Sequence, residues 1–463
     1  MDSRVQTFLD SLNKKKIAFI GIGVSHNELI KLFLSKGAYI TLCDRRVKEQ
    51  IENAAELESM GVKLKLGDNY LDKIDAEMII RTPGMYFNNE ALTQYRKNGI
   101  AVTSEMELFF DLCPCKIIAV TGSDGKTTTT TIISKMLEAQ GKTVHLGGNI
   151  GRALMPIIET ISEDDYAVVE LSSFQLISMR RSPDVAVITN IAPNHLDVHG
   201  NMEEYIDAKK NILLHQGAFS RSVLNADNEL TASLTSLARG ELMMFSRKEA
   251  VFRGAFLSDD NVIYVADKNG ITKVMERSDI RLIGDHNVEN YLAAISAIWG
   301  VVDIENIKAV AKEFAGVEHR FEFIRELGGV KWYNDSIATS PTRTIAGLNA
   351  VNQKVIMIAG GYDKHIPFLP LGPKVIEKVK HLILLGATAQ KIEDTVTSTP
   401  GYGNSGVVIH RVDTLENAVA KAREVAKEGD LVTLSPACAS FDLYKNFEQR
   451  GIHFKNIVNS LKD

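Results

Sequence analysis

The segment at residues 119–128, AVTGSDGKTT, constrains the fold of this chain more than any other stretch. Apolar residues 117–120 predict a strand, two glycines break it, and a helix is expected from Thr127 onward. In such a phosphate-binding loop, backbone N–H groups, the Lys126 ammonium and the helix N-terminus face the anion, and Thr127 offers a hydroxyl to magnesium. The loop has the short GxxGKT form, because Val120 replaces the first glycine of the longer pattern. A glycine-rich turn with an incidental lysine is therefore the alternative.

Length, composition and charge exclude several classes of protein. A chain of 463 residues is too long for one core, so two or three domains are expected. The net charge of the chain is -5, whereas nucleic-acid binders carry an excess of positive charge, so no nucleic-acid partner is expected. No long apolar run is present, so we expect a cytoplasmic protein without membrane insertion. Reduced thiols are expected at the four scattered cysteines, Cys43, Cys113, Cys115 and Cys438.

The order of strand-like and helix-like segments predicts an α/β fold with three consecutive domains. Breaks at Pro114 and Gly316 place the domains at residues 1–113, 114–315 and 316–463. We expect a Rossmann-like N-terminal domain, a central P-loop ATPase domain and a Rossmann-like C-terminal domain. Strict β–α–β alternation is expected in the last third, with a helix beginning near Phe441.

The first predicted domain carries half of a dinucleotide fingerprint. Gly21 and Gly23 follow the first strand, and Asp44 closes the next one. The third glycine of the fingerprint is missing. A nucleotide site without redox chemistry is therefore as good an interpretation as an NAD site, and a glycine pair that only permits a tight turn is equally acceptable.

Further polar clusters follow predicted strands, where open α/β sheets bind ligands. Glu170 stands where a P-loop fold places a second magnesium ligand, although a solvated strand end is the alternative. The loop at residues 190–200 contains His195 and His199, which could coordinate metal, contact phosphate or be solvated. The backbone amides of residues 434–442 could bind a carboxylate or cap a helix.

Taken together, these clusters resemble the Mur ligase superfamily over essentially the whole chain. The phosphate loop at residues 121–127 is similar to the superfamily pattern TG[TS]NGKT. The other superfamily marks are Gly148-Asn149-Ile150-Gly151, residues 170–176, residues 190–200, Tyr205-x-x-Ala208-Lys209, Gly284-x-His286-Asn287-x-x-Asn290 and His319-Arg320-x-Glu322. In the last third, Asn334-Asp335-Ser336-x-Ala338-Thr339, residues 434–442 and Phe447-x-x-Arg450-Gly451 are similar to the branch that adds D-glutamate.

The resemblance implies an ATP-dependent amide ligase of peptidoglycan precursor synthesis. ATP would activate a UDP-muramoyl-alanine carboxylate as an acyl phosphate, and D-glutamate would displace the phosphate. Two Mg²⁺ sites are implied, with Lys209 carbamylated, and we expect a monomer. The implied catalytic residues are Lys126, Glu170, His195 and Lys209, and the implied metal ligands are Thr127, Glu170, His195 and Lys209.

The resemblance also assigns binding residues to three substrates. ATP would contact Gly122, Ser123, Asp124, Gly125, Lys126, Thr127, Thr128, Asn287, Asn290, Arg320 and Asp335. The UDP substrate would contact Gly23, Val24, Ser25, Asp44, Arg45, Pro83, Gly84, Asn149 and His195. D-Glutamate would contact Thr339, Lys364, Ser440 and Phe447.

The chain departs from the family pattern at four positions. Asp124 replaces an asparagine, Ile337 a lysine and Ser340 an asparagine, while Asn194 replaces an aspartate. The loss of the lysine weakens the assignment of the amino acid. The alternatives are a sister ligase that adds another amino acid, a folylpolyglutamate synthetase and a non-enzymatic P-loop nucleotide switch. A dehydrogenase is disfavoured by the missing glycine.

Overall fold

The computed structural model describes residues 2–51, 53–193, 199–363 and 366–462, apart from the side chains of Val24 and Ser25. The chain divides into two compact units. One comprises Met1–Asp279 and Val288–Lys312, and the other Ile280–Asn287 and Glu313–Asp463. The expected α/β class is confirmed by three large sheets that follow one another along the chain. The three domain ranges given above stay a prediction.

The first sheet is parallel throughout, in the order β3-β2-β1-β4-β5. Its strands are β1 (Lys16–Ile20), β2 (Tyr39–Asp44), β3 (Lys63–Leu66), β4 (Met78–Arg81) and β5 (Ala101–Ser104). The helices are α1 (Ser3–Asp10), α2 (Val24–Ser35), α3 (Ala54–Ser59), α4 (Glu90–Lys97) and α5 (Glu105–Leu112). The order reverses between β1 and β4, so the loops after these two strands flank the ligand-binding crevice of such a sheet.

The second sheet, in the same unit, is also parallel and has the order β11-β10-β9-β6-β8-β7. Its strands are β6 (Lys116–Thr121), β7 (Val144–Gly148), β8 (Tyr166–Glu170), β9 (Val185–Ile188), β10 (Arg221–Asn225) and β11 (Glu241–Phe245). Strand β6 is buried from its second residue onward, as the apolar run predicted. Because β8 and β9 flank β6, the loops that leave these three strands meet at one edge of the sheet.

Helices and a small antiparallel sheet complete this unit. The helices are α6 (Lys126–Ala139), α7 (Ser173–Leu176), α8 (Met202–Leu214), α9 (Glu229–Ala232), α10 (Asp285–Ile298) and α11 (Ile304–Glu313). The first three residues of α10 and the last residue of α11 belong to the other unit. The small sheet contains β12 (Gly254–Leu257), β13 (Val262–Asp267) and β14 (Gly270–Glu276). One apolar core runs from Val5 to Leu234 and joins both large sheets. The phosphate loop and the half fingerprint are therefore held by a common core.

The third large sheet belongs to the other unit and has the order β15-β16-β20-β17-β18-β19. Its strands are β15 (Glu322–Leu327), β16 (Val330–Asn334), β17 (Val355–Ala359), β18 (Val379–Leu384), β19 (Val408–Arg411) and β20 (Leu431–Leu434). Its helices are α12 (Pro341–Asn349), α13 (Leu371–Lys378), α14 (Ala389–Thr397), α15 (Leu415–Val425) and α16 (Phe447–Ser460).

Two expectations for the last third are wrong. Alternation is not strict, because the edge strand β15 runs antiparallel to β16 through the glycine turn at Gly328 and Gly329. The helix expected near Phe441 begins instead at Phe447, where the Asn446 side chain accepts a hydrogen bond from the Gln449 N–H and caps it.

Across the described ranges, none of the helices combines the length and the apolar character that a bilayer span requires.

Candidate active site

The two glycines of the phosphate loop are required by close backbone approach. Gly125 has φ +78° and directly precedes α6 as its N-cap residue, and a Cβ there would overlap the side-chain oxygen of Asn290. A Cβ on Gly122 would overlap the Thr189 hydroxyl. Glycine is the residue that accepts both the positive φ and the contact. Gly125 also supplies no side chain to cap the first N–H groups of α6, which leaves them for an anion.

The loop is braced by the segment that follows β9. The backbone N–H of Ser123 donates to the Asn190 carbonyl over 2.8 Å, and the Ser123 hydroxyl donates to the Ala192 carbonyl over 2.9 Å. The N–H of Asp124 donates to the Asn190 side chain over 2.9 Å, while the Asp124 side chain itself is exposed. The Tyr205 hydroxyl lies 3.0 Å from the Ser123 hydroxyl. These contacts hold the loop conformation through groups of the protein itself.

A buried carboxylate lies beside the loop. Glu170, at the end of β8, is 1% exposed, and its Oε2 accepts a hydrogen bond from the Thr127 hydroxyl over 2.7 Å. Its Oε1 accepts from the Asn149 amide over 2.9 Å. Both donors are neutral, so the negative charge is hydrogen-bonded but not neutralised by these contacts. A carboxylate and a hydroxyl side by side are hard oxygen ligands that fit Mg²⁺. The pairing of Thr127 with Glu170 is thus a suitable magnesium site.

Two lysines converge on one carbonyl of the loop. Lys126 Nζ lies 3.0 Å from the Gly122 carbonyl oxygen, and Lys209 Nζ, from α8, lies 3.0 Å from the same atom. The Lys209 ammonium also lies 4.7 Å from the centre of the Tyr205 ring. Burial, together with the neighbouring Lys126 charge, holds the pKa of Lys209 well below its usual value. Lys209 is therefore a buried loop-facing group and not a surface lysine like Lys210, which pairs with Asp207.

The histidine loop is described only in part. His195 falls in residues 194–198, outside the described residues, so its predicted metal role stays a prediction. His199 is buried, stacks on Phe174 with ring centres 4.9 Å apart, and its Nε2 lies 2.8 Å from the Ser173 hydroxyl. In the described ranges no group of three or more His, Cys, Asp or Glu side chains is arranged to hold a metal ion.

The half fingerprint forms a compact turn at the start of α2. The Asp44 carboxylate accepts from the Ile22 N–H over 3.0 Å and from the Arg46 guanidinium over 2.8 Å. Burial opposes ionisation, but the hydrogen bonds from Arg46 hold the pKa of Asp44 below its usual value. His26 is buried and its Nδ1 lies 2.7 Å from the Gly21 carbonyl oxygen, and burial lowers its pKa to about 4. A neutral His26 thus fixes this turn.

Four other residues assigned to the UDP substrate lie at the same edge of the first sheet. Gly23 precedes α2, Arg45 is exposed after β2, and Pro83 and Gly84 follow β4. The backbone of Val24 begins α2. Asn149 follows β7 in the second sheet, where it contacts Glu170. The role of these residues in binding the UDP substrate stays a prediction.

In the second unit, Asp335 is buried at the end of β16. Its Oδ2 accepts from the Ser435 hydroxyl over 2.8 Å, and its Oδ1 accepts from the Phe321 N–H over 3.2 Å. Burial raises the pKa of Asp335 to about 7, although the nearby Arg320 and Arg343 charges oppose this shift. Arg320 directly precedes Phe321 and is half-buried. Asn287 belongs to this unit, whereas Asn290, which accepts from Thr129, belongs to the first.

A buried guanidinium lies between two loops of the second unit. Arg450, from α16, is 4% exposed and donates to the Ser336 carbonyl over 2.9 Å and to the Ala439 carbonyl over 3.1 Å. The Ser336 hydroxyl donates to the Phe447 carbonyl over 2.8 Å. Burial lowers the pKa of Arg450 to about 10. Arg450 therefore ties the loop after β16 to the buried loop after β20 that contains Ser440.

A small cleft lies next to these loops. Its lining residues are Thr339, Tyr362, Asp363, Ile366, Phe368, Ala437 and Cys438. Lys364 falls in residues 364–365, outside the described residues, so its predicted role stays a prediction. Thr339, Ser440 and Phe447 all lie on the two loops that Arg450 joins or on the helix that bears it.

Three residues of the site had no role assigned from the sequence. Tyr205 and Arg450 belong to family motifs that assign them no role, and the sequence assigns no role to Arg81, which is described below. Their partners lie 82, 114 and 97 residues away in the chain, respectively, so no local pattern reveals them. A charged residue at the end of an apolar strand was the only available signal for Arg81.

Two family models match this chain. The model described as the Mur ligase middle domain matches residues 120–298. The model described as the Mur ligase glutamate ligase domain matches residues 319–438. The first range contains the phosphate loop, Glu170 and Lys209, and the second contains Asp335.

Relatives with known names match over the full length. The UDP-N-acetylmuramoylalanine–D-glutamate ligase of Acetivibrio thermocellus is 50% identical over 467 residues, covering 100% of both chains. The enzyme of the same name from Clostridium botulinum strain Alaska E43 is 49% identical, again with 100% of both chains covered.

Solved structures share the fold at lower identity. The UDP-N-acetylmuramate–alanine ligase of Thermotoga maritima is 20% identical with a TM-score of 0.58, covering 97% of this chain and 100% of that one. A pseudomurein peptide ligase type C from Methanothermus fervidus is 20% identical with a TM-score of 0.54, with the same coverage.

Proposed function

This chain belongs to the Mur ligase family, and from that premise we propose that it is an ATP-dependent ligase that adds D-glutamate to UDP-N-acetylmuramoyl-L-alanine. The reaction would serve peptidoglycan precursor synthesis in the cytoplasm. The observation that carries the proposal is the buried Glu170 carboxylate beside Thr127 and the braced phosphate loop. The names of the full-length relatives support the choice of substrates.

The chemistry needs neutralised charge and fixed positions more than a covalent nucleophile. The acceptor carboxylate attacks the γ-phosphorus of ATP, which releases ADP and leaves an acyl phosphate. The amino group of D-glutamate then attacks the acyl carbon, inorganic phosphate leaves, and an amide remains. The loop amides and Lys126 hold the β- and γ-phosphates and offset their charge. The N-terminus of α6 adds its partial positive charge.

Magnesium would be held by this chain's own oxygen ligands. Thr127 and Glu170 would hold one ion, whose charge screens the triphosphate from the incoming carboxylate. The resemblance assigns a second ion to His195 and to a carbamylated Lys209. The buried place of Lys209, facing the loop and away from solvent, supports that assignment.

The amino acid would bind in the second unit. The loop after β16 and the buried loop after β20, both tied to Arg450, offer Thr339 and Ser440, and Phe447 begins the adjoining helix. Backbone N–H groups of the loop after β20 suit a carboxylate. The absence of the usual lysine at Ile337 leaves Lys364 as the expected cation of this pocket.

An amino-acid panel tests the substrate assignment. Purified enzyme is incubated with ATP, magnesium and UDP-N-acetylmuramoyl-L-alanine plus one amino acid at a time, and both phosphate and the amide product are measured. D-Glutamate should give one amide per phosphate, whereas L-glutamate, the matched control, should give neither. Amide formation with L-alanine or L-glutamate but not D-glutamate would favour a sister ligase. Amide formation with L-glutamate only when a folate replaces the UDP-linked acceptor would favour a folylpolyglutamate synthetase. ATP hydrolysis without any amide would favour the nucleotide switch.

The carbamate is tested separately. We expect enzyme prepared without carbon dioxide to lose activity, and added bicarbonate to restore it. A ¹³C resonance from labelled bicarbonate should appear in wild-type protein and be missing in Lys209→Gln. Lys210→Gln, which changes the neighbouring half-buried lysine that pairs with Asp207, is the control. Full activity of carbonate-free enzyme would refute the carbamate while leaving the ligase reaction intact.

The proposal includes a monomer built from the three predicted domains. Light scattering on purified protein should give one mass of about 51 kDa, the mass of a single chain. A mass twice as large would refute the monomer.

A further inference from the structure

Within the first unit, Arg81 connects the loop after β4 to the segment around α7. It ends β4 and is 1% exposed. One terminal nitrogen, Nη1, donates to the carbonyls of Thr82 and Met85 over 3.4 and 3.1 Å. The other, Nη2, donates to the Ser178 hydroxyl over 2.6 Å and to the Phe174 carbonyl over 3.4 Å. A single side chain therefore donates hydrogen bonds both to the loop after β4 and to the segment around α7.

Arg81 has no direct ion pair among the described residues, although its guanidinium carbon lies 5.5 Å from the centre of the Phe87 ring. The nearest acidic group, Glu107, is reached through Ser178, whose hydroxyl lies 2.9 Å from Glu107 Oε2. Arg81 Nε has no hydrogen-bond partner among the described residues. Burial lowers the pKa of Arg81 and raises the pKa of Glu107. Burying a cation without a direct ion pair is costly, and an apolar residue would pack here at lower cost.

A second contact joins the same two parts. Tyr86, in the loop after β4, donates its hydroxyl to the Glu204 carboxylate in α8. Helix α8 carries Lys209, and α7 begins three residues after Glu170. The loop that contains Pro83 and Gly84 is therefore fixed to the α7 segment, which follows Glu170, and to α8, which carries Lys209.

We propose that Arg81 is a positioning residue that sets the acceptor-binding loop at residues 82–86 against the phosphate site. The inference rests on the proposed function, because that loop is assigned to the UDP-linked acceptor. The acceptor carboxylate has to meet the γ-phosphate, and a displacement of about 1 Å can lower the rate roughly 100-fold. Arg81 would act through the loop and through Ser178, without contact to the reacting atoms.

Arg81→Met tests this assignment in the full-length protein. We expect kcat/KM for UDP-N-acetylmuramoyl-L-alanine to fall by about 10- to 100-fold, since misplacement acts on the acceptor step. KM for ATP should stay within about twofold, because the phosphate loop is not touched. Arg81→Lys, which keeps the charge and part of the bonding, should recover a portion of the loss. The matched control is Arg180→Met, an exposed arginine of the same segment that donates to the Met179 carbonyl.

Ser178→Ala keeps the inference testable if Arg81→Met does not fold. It removes the hydroxyl that accepts the shortest hydrogen bond from Arg81 in the α7 segment. KM for the acceptor should rise at least threefold, and KM for ATP should stay unchanged. Wild-type acceptor kinetics in either folded variant would overturn the inference, even if the melting temperature fell. Wild-type enzyme that binds the acceptor in calorimetry but forms no amide would instead overturn the proposed function. In that case calorimetry would compare the affinities of Arg81→Met and wild-type enzyme for the acceptor, and equal affinities would refute the inference.

Discussion

Replacing Asp335 by asparagine should make the second unit more stable at neutral pH, and the gain should depend on pH. The carboxyl is fully buried and its pKa is raised to about 7. An acid with a raised pKa in the folded state binds its proton more tightly there than in the unfolded chain. Its stabilising contribution is therefore present at low pH and is lost as pH rises from the unfolded pKa, near 3.8, to about 7.

The size of the effect follows from the two pKa values. A shift of this size corresponds to about 4 kcal/mol in total, of which roughly 2–3 kcal/mol is lost between pH 5 and pH 8. Asparagine does not titrate, and its side chain can still accept from the Phe321 N–H. The Ser435 hydroxyl can turn to accept from the new amide while it donates to Thr344, 3.1 Å away. The Asp335→Asn variant should thus lack most of the pH-dependent loss.

The chain offers a suitable reporter for this measurement. It has two tryptophans, and Trp332 is buried on β16, three residues before Asp335. In a Trp299→Phe background, tryptophan fluorescence follows the second unit alone. Urea unfolding is compared at pH 5, 6, 7 and 8 with and without the Asp335→Asn substitution in this background. A difference in unfolding free energy that stays constant across this range would refute the reasoning, because it would mean that Arg320 and Arg343 keep the carboxylate ionised.

Three further changes have defined outcomes. Glu170→Gln removes the charge of the magnesium site, so the Mg²⁺ concentration for half-maximal phosphate release should rise at least tenfold, and an unchanged requirement would exclude Glu170 as a ligand. Gly125→Ala combines a positive φ, worth about 1–2 kcal/mol, with an overlap on Asn290, so binding of an ATP analogue measured by calorimetry should weaken at least tenfold. Gly451→Ala would place a methyl group on the His319 ring and should destabilise the second unit by about 1–3 kcal/mol in the tryptophan assay; unchanged stability would show that the ring moves aside freely.

Local patterns predicted the elements that carry their own signal. The buried run of β6, its glycines and the following helix are consecutive in sequence, so the phosphate loop could be predicted with its residues in place. Glu170 could be placed near Thr127 because strand ends of a parallel sheet meet at one edge. In contrast, the sequence did not predict β15, since its six residues, Glu-Phe-Ile-Arg-Glu-Leu, show no regular alternation of charged and apolar side chains and follow a predicted domain break. Its antiparallel direction depends on the turn at Gly328 and Gly329.

The side chains that fix the site geometry could not be predicted in the same way. Arg81 and Arg450 act through carbonyls and hydroxyls on distant segments, and such acceptors carry no residue-type signal. The neighbourhood of Lys209 likewise depends on how α8 packs against the loop. The resemblance to a known family named Lys209 as important, but only the fold reveals that it shares the Gly122 carbonyl with Lys126.

The first helix after the phosphate loop also affects the stage of translation at which the nascent chain can bind ATP. Residues 127–131 are five threonines, which are poor helix formers because their branched side chains lose rotamer freedom. This turn relies on distant partners, among them Asn290, which accepts from the Thr129 hydroxyl across 161 residues. A nascent chain arrested before Asn290 emerges therefore lacks a support of its nucleotide loop. The ability to bind ATP should arise late in translation, well after the second sheet has been synthesised.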